Sequence, residues 1–305
     1  MSIFPTRILL AADGSEEATL AAQTAIDLSD KTGSELHVVY ATIPPPYALA
    51  LYEGYAEGVD AGAYLQDESE EHTRTGQGLL DEQVRKIKAV GGSVAQAHLR
   101  EGRPEAEITA LAEEIGAGLI VIGSRGLGSL RRALMGSVSS SVVQHAHCPV
   151  LVVRWKPVVF PAKILLATDG SEEAVLAAQS AADLAARTSS ELHATHVYPT
   201  WAEVGPLPAS TRELLDREAQ ELLEAQLERM GESGISVTEA HLMSGRADEE
   251  TIVLAEQVGA DLIVVGSRGL GGVRRALMGS VSDSVVRHGH CPVLVVRGED
   301  RREPV

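Results

Sequence analysis

At 305 residues the chain has room for two domains with a full core each, and 44% hydrophobic against 23% charged residues is the balance of a folded globular protein. A formal charge of -17 argues against a general nucleic-acid or anionic-membrane surface, since both need clustered Lys and Arg in excess. Aromatic residues, at 3%, supply no stacking platform for single strands. No apolar run reaches the roughly 18 residues of a membrane-spanning helix, and Met1 to Leu10 lacks the basic start and cleavage site of a secretory signal. The two cysteines, Cys148 and Cys291, are too few for a disulfide framework, and the chain reads as cytoplasmic.

In chain order, Arg7 to Ala12 is a short apolar run ending at Asp13 and Gly14, which suits a central parallel strand followed by a tight turn. Ser15, Glu16 and Glu17 form an N-cap and an acidic first turn, predicting a helix to about Lys31 that Gly33 stops. Leu36 to Ala41 is the second strand. The proline- and glycine-rich stretch from Ile43 to Tyr64 reads as a long loop or lid. Helical spacing returns from about Asp67 to Val90, with Leu79, Leu80, Val84 and Ile87 on one side. Ser93 to Leu99 gives a third strand, and Pro104 stands in the first turn of a helix reaching Ile115. Leu119 to Ile122 is a buried strand, followed by a glycine-rich loop, a helix from Gly136 and Ser137 to about His145, and a last strand from Val150 to Val153.

The segment Leu119 to Arg154 recurs from Leu262 to Arg297 with six of its thirty-six positions changed. The opening recurs as well: Asp13 matches Asp169 at an offset of 169 − 13 = 156, whereas Gly123 matches Gly266 at 266 − 123 = 143. The second copy is thus thirteen residues shorter (156 − 143) in the long loop, where Tyr198 to Arg212 is the counterpart. Each copy reads as a doubly wound five-stranded parallel sheet with helices on both faces, so the chain is two tandem α/β domains, 1–154 and 163–305, joined by a proline-containing linker at 155–162. The two alike ends of each copy would meet where strand order reverses, the crevice in which such sheets hold ligands.

The loop has the spacing G-x2-G-x9-G-S, with Gly123, Gly126, Gly136 and Ser137 in one copy and Gly266, Gly269, Gly279 and Ser280 in the other. Glycines let main chain approach a ligand and take positive φ. The serines stand at a helix start, where backbone N–H groups face an anion. Arg125, Arg131 and Arg132, with Arg268, Arg274 and Arg275, bring positive charge to an acidic chain, although a solvated helix face accounts for them equally well. Together these suit a nucleotide polyphosphate. Asp13 and Asp169 are also placed to stabilise the helix start that follows them. The string His145, His147, Cys148 and its copy His288, His290, Cys291 invite a metal reading, but at a helix end packing and capping explain them better, and no metal ligand is assigned. His37 and Tyr40 read as core or rim residues.

No G-x4-G-K-[ST] is present, nor G-x-G-x-x-G after the first strand, which excludes a P-loop ATPase and disfavours a dinucleotide fold. The HIGH-type histidine signature and the SGG-x-DS loop of adenylating enzymes are missing, and no nucleophile with a paired base lies near the loop.

On these motifs the chain resembles a tandem universal stress protein of the ATP-binding branch, end to end in both halves. The resemblance implies an adenine nucleotide α-hydrolase-like fold with ATP between the first and fourth strands; Mg²⁺ is expected with the nucleotide. It places Asp13 and Asp169 beside the adenosine, and gives Ala41 and Val197 backbone hydrogen bonds to the base. Gly123, Gly126, Gly136 and Ser137, like Gly266, Gly269, Gly279 and Ser280, would wrap ribose and phosphates; on their own charge, Arg125 and Arg268 complete the expected nucleotide sites. It further implies that the apolar closing strands, Pro149 to Arg154 and Pro292 to Arg297, pair with each other within the chain. The sequence is compatible with a further homodimer and names no protein partner. The expected role is a nucleotide-dependent stress-response regulator with two sites, against two alternatives: a slow ATPase or autophosphorylating enzyme acting through Ser137 or Ser280, and an interaction scaffold that has lost nucleotide affinity.

Overall fold

A computed structural model of the chain describes Phe4 and residues 6–43, 62–126, 135–154, 160–199, 209–269 and 278–298. The first half contains β1 (Arg7–Ala11), α1 (Glu16–Thr32), β2 (Glu35–Thr42), α2 (Gly62–Ala89), β3 (Gln96–Glu101), α3 (Pro104–Glu114), β4 (Leu119–Gly123), α4 (Ser137–His145) and β5 (Val150–Val153). The second half repeats that order as β6 (Lys163–Ala167), α5 (Glu172–Thr188), β7 (Glu191–Tyr198), α6 (Ala209–Glu232), β8 (Glu239–Ser244), α7 (Ala247–Val258), β9 (Leu262–Gly266), α8 (Ser280–His288) and β10 (Val293–Val296).

Local chemistry sets the helix ends. Ser15 accepts the Ala18 N–H at 3.1 Å as the N-cap of α1, and Ser171 accepts the Ala174 N–H at 3.2 Å for α5. Gly33 closes α1 in the left-handed region at φ 67°, as the sequence leads one to expect. Two boundaries differ from the sequence reading. Helix α2 begins at Gly62 rather than near Asp67, because Ala63, Leu65 and Gln66 are strong helix formers with no proline among them and extend the helix beyond its apolar stripe. Strand β3 runs from Gln96 to Glu101 instead of starting at Ser93; as an edge strand its mixed sequence carries a weak apolar signal, and pairing with His37 to Thr42 sets its register. Of the lid expected over Ile43 to Tyr64, residues 62–64 belong to α2 and 44–61 lie outside the described residues, as does most of the linker.

Each half has strand order 3-2-1-4-5, all parallel, and the two halves form one ten-stranded sheet in the order β3-β2-β1-β4-β5-β10-β9-β6-β7-β8. The halves meet at an antiparallel pair, with Val152, Leu151 and Val150 opposite Val293, Leu294 and Val295. The apolar closing strands are therefore central, and every residue of both is buried.

The core is continuous across this joint. On one face Ile8, Leu10, Val121, Leu151, Leu294, Val264 and Leu166 lie in one cluster with the inner sides of α1 and α5. On the other, Leu9, Ile120, Val152, Val293, Ile263 and Leu165 share a second cluster with α3, α4, α7 and α8. The period-two alternation along each strand divides the two sets.

Two reciprocal arginines fasten the joint. Arg154 donates to the carbonyl of Arg287 at 2.6 Å, in the last turn of α8, and Arg297 donates to the carbonyls of Gln144 at 2.8 Å and Val143 at 3.1 Å, at the end of α4. Each half thus places a cation on the negative end of the other half's last helix. The N-terminal arm crosses as well, with the Phe4 N–H donating to Asp183 of α5 at 3.1 Å and Arg187 donating to the Phe4 carbonyl.

Two outcomes are expected at the joint. Leu294→Ala leaves a cavity opposite Leu151 and lowers unfolding free energy in urea by about 2–5 kcal/mol. Arg154→Met keeps most of the bulk and loses the charged hydrogen bonds, costing about 1.5–3 kcal/mol in the same measurement.

Candidate functional site

Strands β1 and β4 are neighbours at the point where strand order reverses, and a cavity of about 430 Å³ opens beyond their carboxyl ends. Most of its walls come from five elements. The β1 end supplies Ala11, Ala12 and Asp13; the β2 end supplies Val39, Tyr40 and Ala41; α3 supplies Pro104 and Ile108; and the β4 end with the start of α4 supplies Ile122, Gly123, Arg125, Gly126, Gly136 and Ser137. All seven first-half residues expected at a site, Asp13, Ala41, Gly123, Arg125, Gly126, Gly136 and Ser137, line this one cavity.

The Asp13 carboxylate is held by its own turn. Its Oδ1 accepts the Ser15 N–H at 2.9 Å, and Gly14 supplies the turn at φ 85°. The other oxygen faces Gly126, where an added Cβ would land on it. Asp13 therefore both steadies the helix start and presents charge to the crevice. Nearby, burial first and the Asp13 charge second push the Tyr40 phenol above its ordinary pKa.

The loop glycines work by leaving room. None of Gly123, Gly126 and Gly136 has a left-handed φ, so of the two freedoms glycine offers, positive φ is not used at these positions. A Cβ on Gly123 would meet the Glu17 carbonyl carbon at 2.8 Å, so this glycine lets β4 pass against the first turn of α1. Gly136 folds back on the loop's entry, its N–H donating to the Ser124 carbonyl at 2.8 Å. Ser139 donates to the Gly123 carbonyl at 2.8 Å, pinning the strand end to the helix.

Helix α4 contrasts with α1 at its start. Its N-cap is Gly136, no side chain caps it, and its first turn opens on the cavity through Ser137 and Val138. That arrangement presents backbone N–H groups to an anion. Arg125 also lines the cavity, with its Nε 3.0 Å from Glu17, so the loop carries a compensated charge at the mouth. Arg131, Arg132, Arg274 and Arg275 lie outside the described residues.

The second half builds the same arrangement. Asp169 Oδ1 accepts the Ser171 N–H at 3.0 Å, the Gly279 N–H donates to Ser267 at 2.8 Å, and Ser282 donates to the Gly266 carbonyl at 2.6 Å. A Cβ on Gly269 would again land on its aspartate, and Arg268 stands 3.6 Å from Glu173. Ser280 opens α8 behind an uncapped Gly279, and Val197 lies near the end of β7. The halves differ behind the turn: Thr168 replaces Ala12 and donates to the buried Gln226 at 3.0 Å, and His196 replaces Tyr40 with Nδ1 3.0 Å from the Thr168 carbonyl.

Sequence reading missed the apolar wall made by Tyr40, Ile43, Pro104, Ile108 and Val138. The spacing of Pro104 and Ile108, four apart on one helix face, was the available signal. The His-x-His-Cys strings do not assemble a metal site among the described residues. His145 Nδ1 lies 2.8 Å from the Ser141 carbonyl at the end of α4, and His147 pairs with Glu113. Desolvation pushes the Cys148 and Cys291 thiols up to about 12, which keeps them protonated and unreactive at neutral pH.

The model described as the universal stress protein family matches residues 5–154 and again residues 162–297. A universal stress protein of Mycobacterium tuberculosis strain H37Rv is 37% identical over 185 residues, a match covering 59% of this chain and 62% of that protein, less than two thirds of its length. Another, from M. tuberculosis strain CDC 1551, is 31% identical over 239 residues, 73% of this chain and 76% of the relative. The crystal structure of a universal stress protein from Archaeoglobus fulgidus superposes with a TM-score of 0.68 at 27% identity, covering 98% of both chains. Twice matched from strand to closing strand, and sharing its whole architecture with a solved member, the chain belongs to the universal stress protein family as a tandem of two such domains.

Proposed function

We propose that each half binds one ATP, and that nucleotide occupancy regulates the protein's shape or partner surface in a stress response. The observation that carries this reading is the convergence of Asp13, the Ala41 main chain and an uncapped helix start, through Gly126 and Gly136, on one crevice. Its chemistry suits the parts of the molecule. The apolar wall of Val39, Ile43, Ile108 and Ile122 accepts the flat face of a base, and the end of β2 offers backbone groups to its edge. The Asp13 carboxylate accepts hydrogen bonds from ribose hydroxyls. The start of α4, with the Ser137 hydroxyl, meets the phosphates. Mg²⁺ in this reading rides on the phosphates, because Asp13 is the one carboxylate among the described residues that line the crevice.

The same residues hold ATP without turning it over. Among the described residues no base is hydrogen-bonded to Ser137, and Arg125 is paired with Glu17 rather than extended over the crevice as a lone cation. The extra Thr168–Gln226 hydrogen bond stiffens the second turn and gives the two sites a basis for unequal affinity.

Calorimetric titration is expected to give two ATP per chain. Gly126→Ala displaces the Asp13 carboxylate, a flexible side chain, and lowers affinity at the first site at least about tenfold, or ~1.4 kcal/mol, while the second site is retained. Gly269→Ala does the converse. Undiminished binding by the double variant sinks the assignment. Gly123→Ala meets backbone instead, so it is expected to cost about 1–3 kcal/mol of stability in urea rather than to report on the site. Incubated with Mg²⁺ and ATP for minutes, the purified protein is expected to return the nucleotide as ATP; steady release of ADP moves the reading to a slow ATPase.

A further inference from the structure

Away from the nucleotide crevice, each half stacks two histidines across β2 and β3 or their counterparts. His37 Nδ1 lies 3.1 Å from His98 Nε2, and His193 Nδ1 lies 3.1 Å from His241 Nε2; the ring centroids are 5.4 Å apart in both pairs. A pair present in both halves is explained by packing alone. What surrounds it is not the same. In the second half Glu239 stands directly across from His193 in the strand register and two residues before His241, whereas the first half has Gln96 at that position.

We propose that the second half holds one divalent transition ion of the zinc class, ligated by His193 Nδ1, His241 Nε2 and the Glu239 carboxylate. The three ligand atoms form a triangle with sides of 3.1, 3.8 and 4.0 Å. A tetrahedral ion with bonds of about 2.0–2.1 Å sets its ligands about 3.3 Å apart, so adjustments of under about 1 Å close the site. Among the described residues these three form the one group of histidine, cysteine and carboxylate side chains close enough together to share an ion.

The surroundings match what such a site requires. The far nitrogen of His193, Nε2, faces Glu191 Oε2 at 3.5 Å, and Glu191 is held in turn by Lys163 at 3.3 Å. A carboxylate behind a ligating imidazole selects the Nε2–H tautomer and leaves the Nδ1 lone pair for the metal. In that tautomer and without an ion, the lone pair is placed to accept an Nε2–H from His241 at 3.1 Å. With one, His241 shifts its proton to Nδ1 and turns a second lone pair inward, and the net charge of the imidazoles is unchanged. His193 is buried while the Glu239 side chain is 63% exposed, so the ion has an entry path and a fourth position open to water. Two imidazoles and a carboxylate favour zinc, cobalt, nickel or copper over magnesium or calcium.

His193 stands four residues before Val197 on β7, about 13 Å along the strand, so the ion site and the crevice are separate. Their tests are separate too. Full-length protein, stripped of metal and free of nucleotide, is titrated with Co²⁺ and followed by visible absorbance. One equivalent is expected to give the intense bands of tetrahedral cobalt. Glu239→Gln is expected to abolish them, and Glu191→Gln to weaken binding by about tenfold. Gln96→Glu, which copies the second half's triad into the first, is expected to raise the stoichiometry to two. Positions 96 and 239 are both exposed, so neither change threatens the fold. Purely octahedral spectra, bands that survive Glu239→Gln, or a Gln96→Glu protein that still takes one equivalent overturns the proposal, whatever the outcome with ATP.

Discussion

Strand β5 can be buried on both faces and both edges because β10 runs antiparallel beside it. Four apolar residues, Val150 to Val153, would otherwise line an open edge whose unpaired N–H and C=O groups invite association. Pairing Leu151 with Leu294 satisfies those groups and merges two five-stranded cores into one. Everything else in the architecture is arranged around that joint: α1 and α5 pack together over one face of it, and the last helix of each half ends against an arginine from the other.

The same joint lies close to the candidate site. Arg154, which caps α8, has its pKa lowered by burial and by the nearby Arg125, with Glu17 acting the other way. Arg125 is in turn the loop residue paired with Glu17 at the mouth of the crevice. One short run of charges thus connects the glycine loop of the first half to the closing helix of the second.

Around the two candidate sites, most of the glycines divide into two kinds. Gly14 and Gly170 are needed for their backbone conformation, at φ 85° and 79°. Gly123 and Gly126 are needed for space, against a helix backbone and a carboxylate, whereas a Cβ on Gly136 would make only ordinary contacts, at 3.5 Å, with the entry of its own loop. A spacing pattern cannot tell these apart, because both ask for the absence of a Cβ.

Features written in neighbouring residues could be read before any fold was known. The Ser15 cap, the Gly33 stop, the apolar runs of β1 and β4 and the repeated loop all follow from interactions spanning a few positions, and the repeat doubled all of these signals but the Gly33 stop, where the second half has Ser189. Long-range partners could not be read. The glutamates that occupy Arg125 and Arg268, the apolar wall from α3, and the distinction between Gln96 and Glu239 beside otherwise matched histidines arise from residues dozens of positions apart. His193 and His241 are 48 positions apart, and nothing in their spacing places them 3.1 Å from each other. Strand register does, because in a parallel sheet it is the lateral hydrogen bonding of distant segments, and not their local composition, that sets which side chains stand side by side.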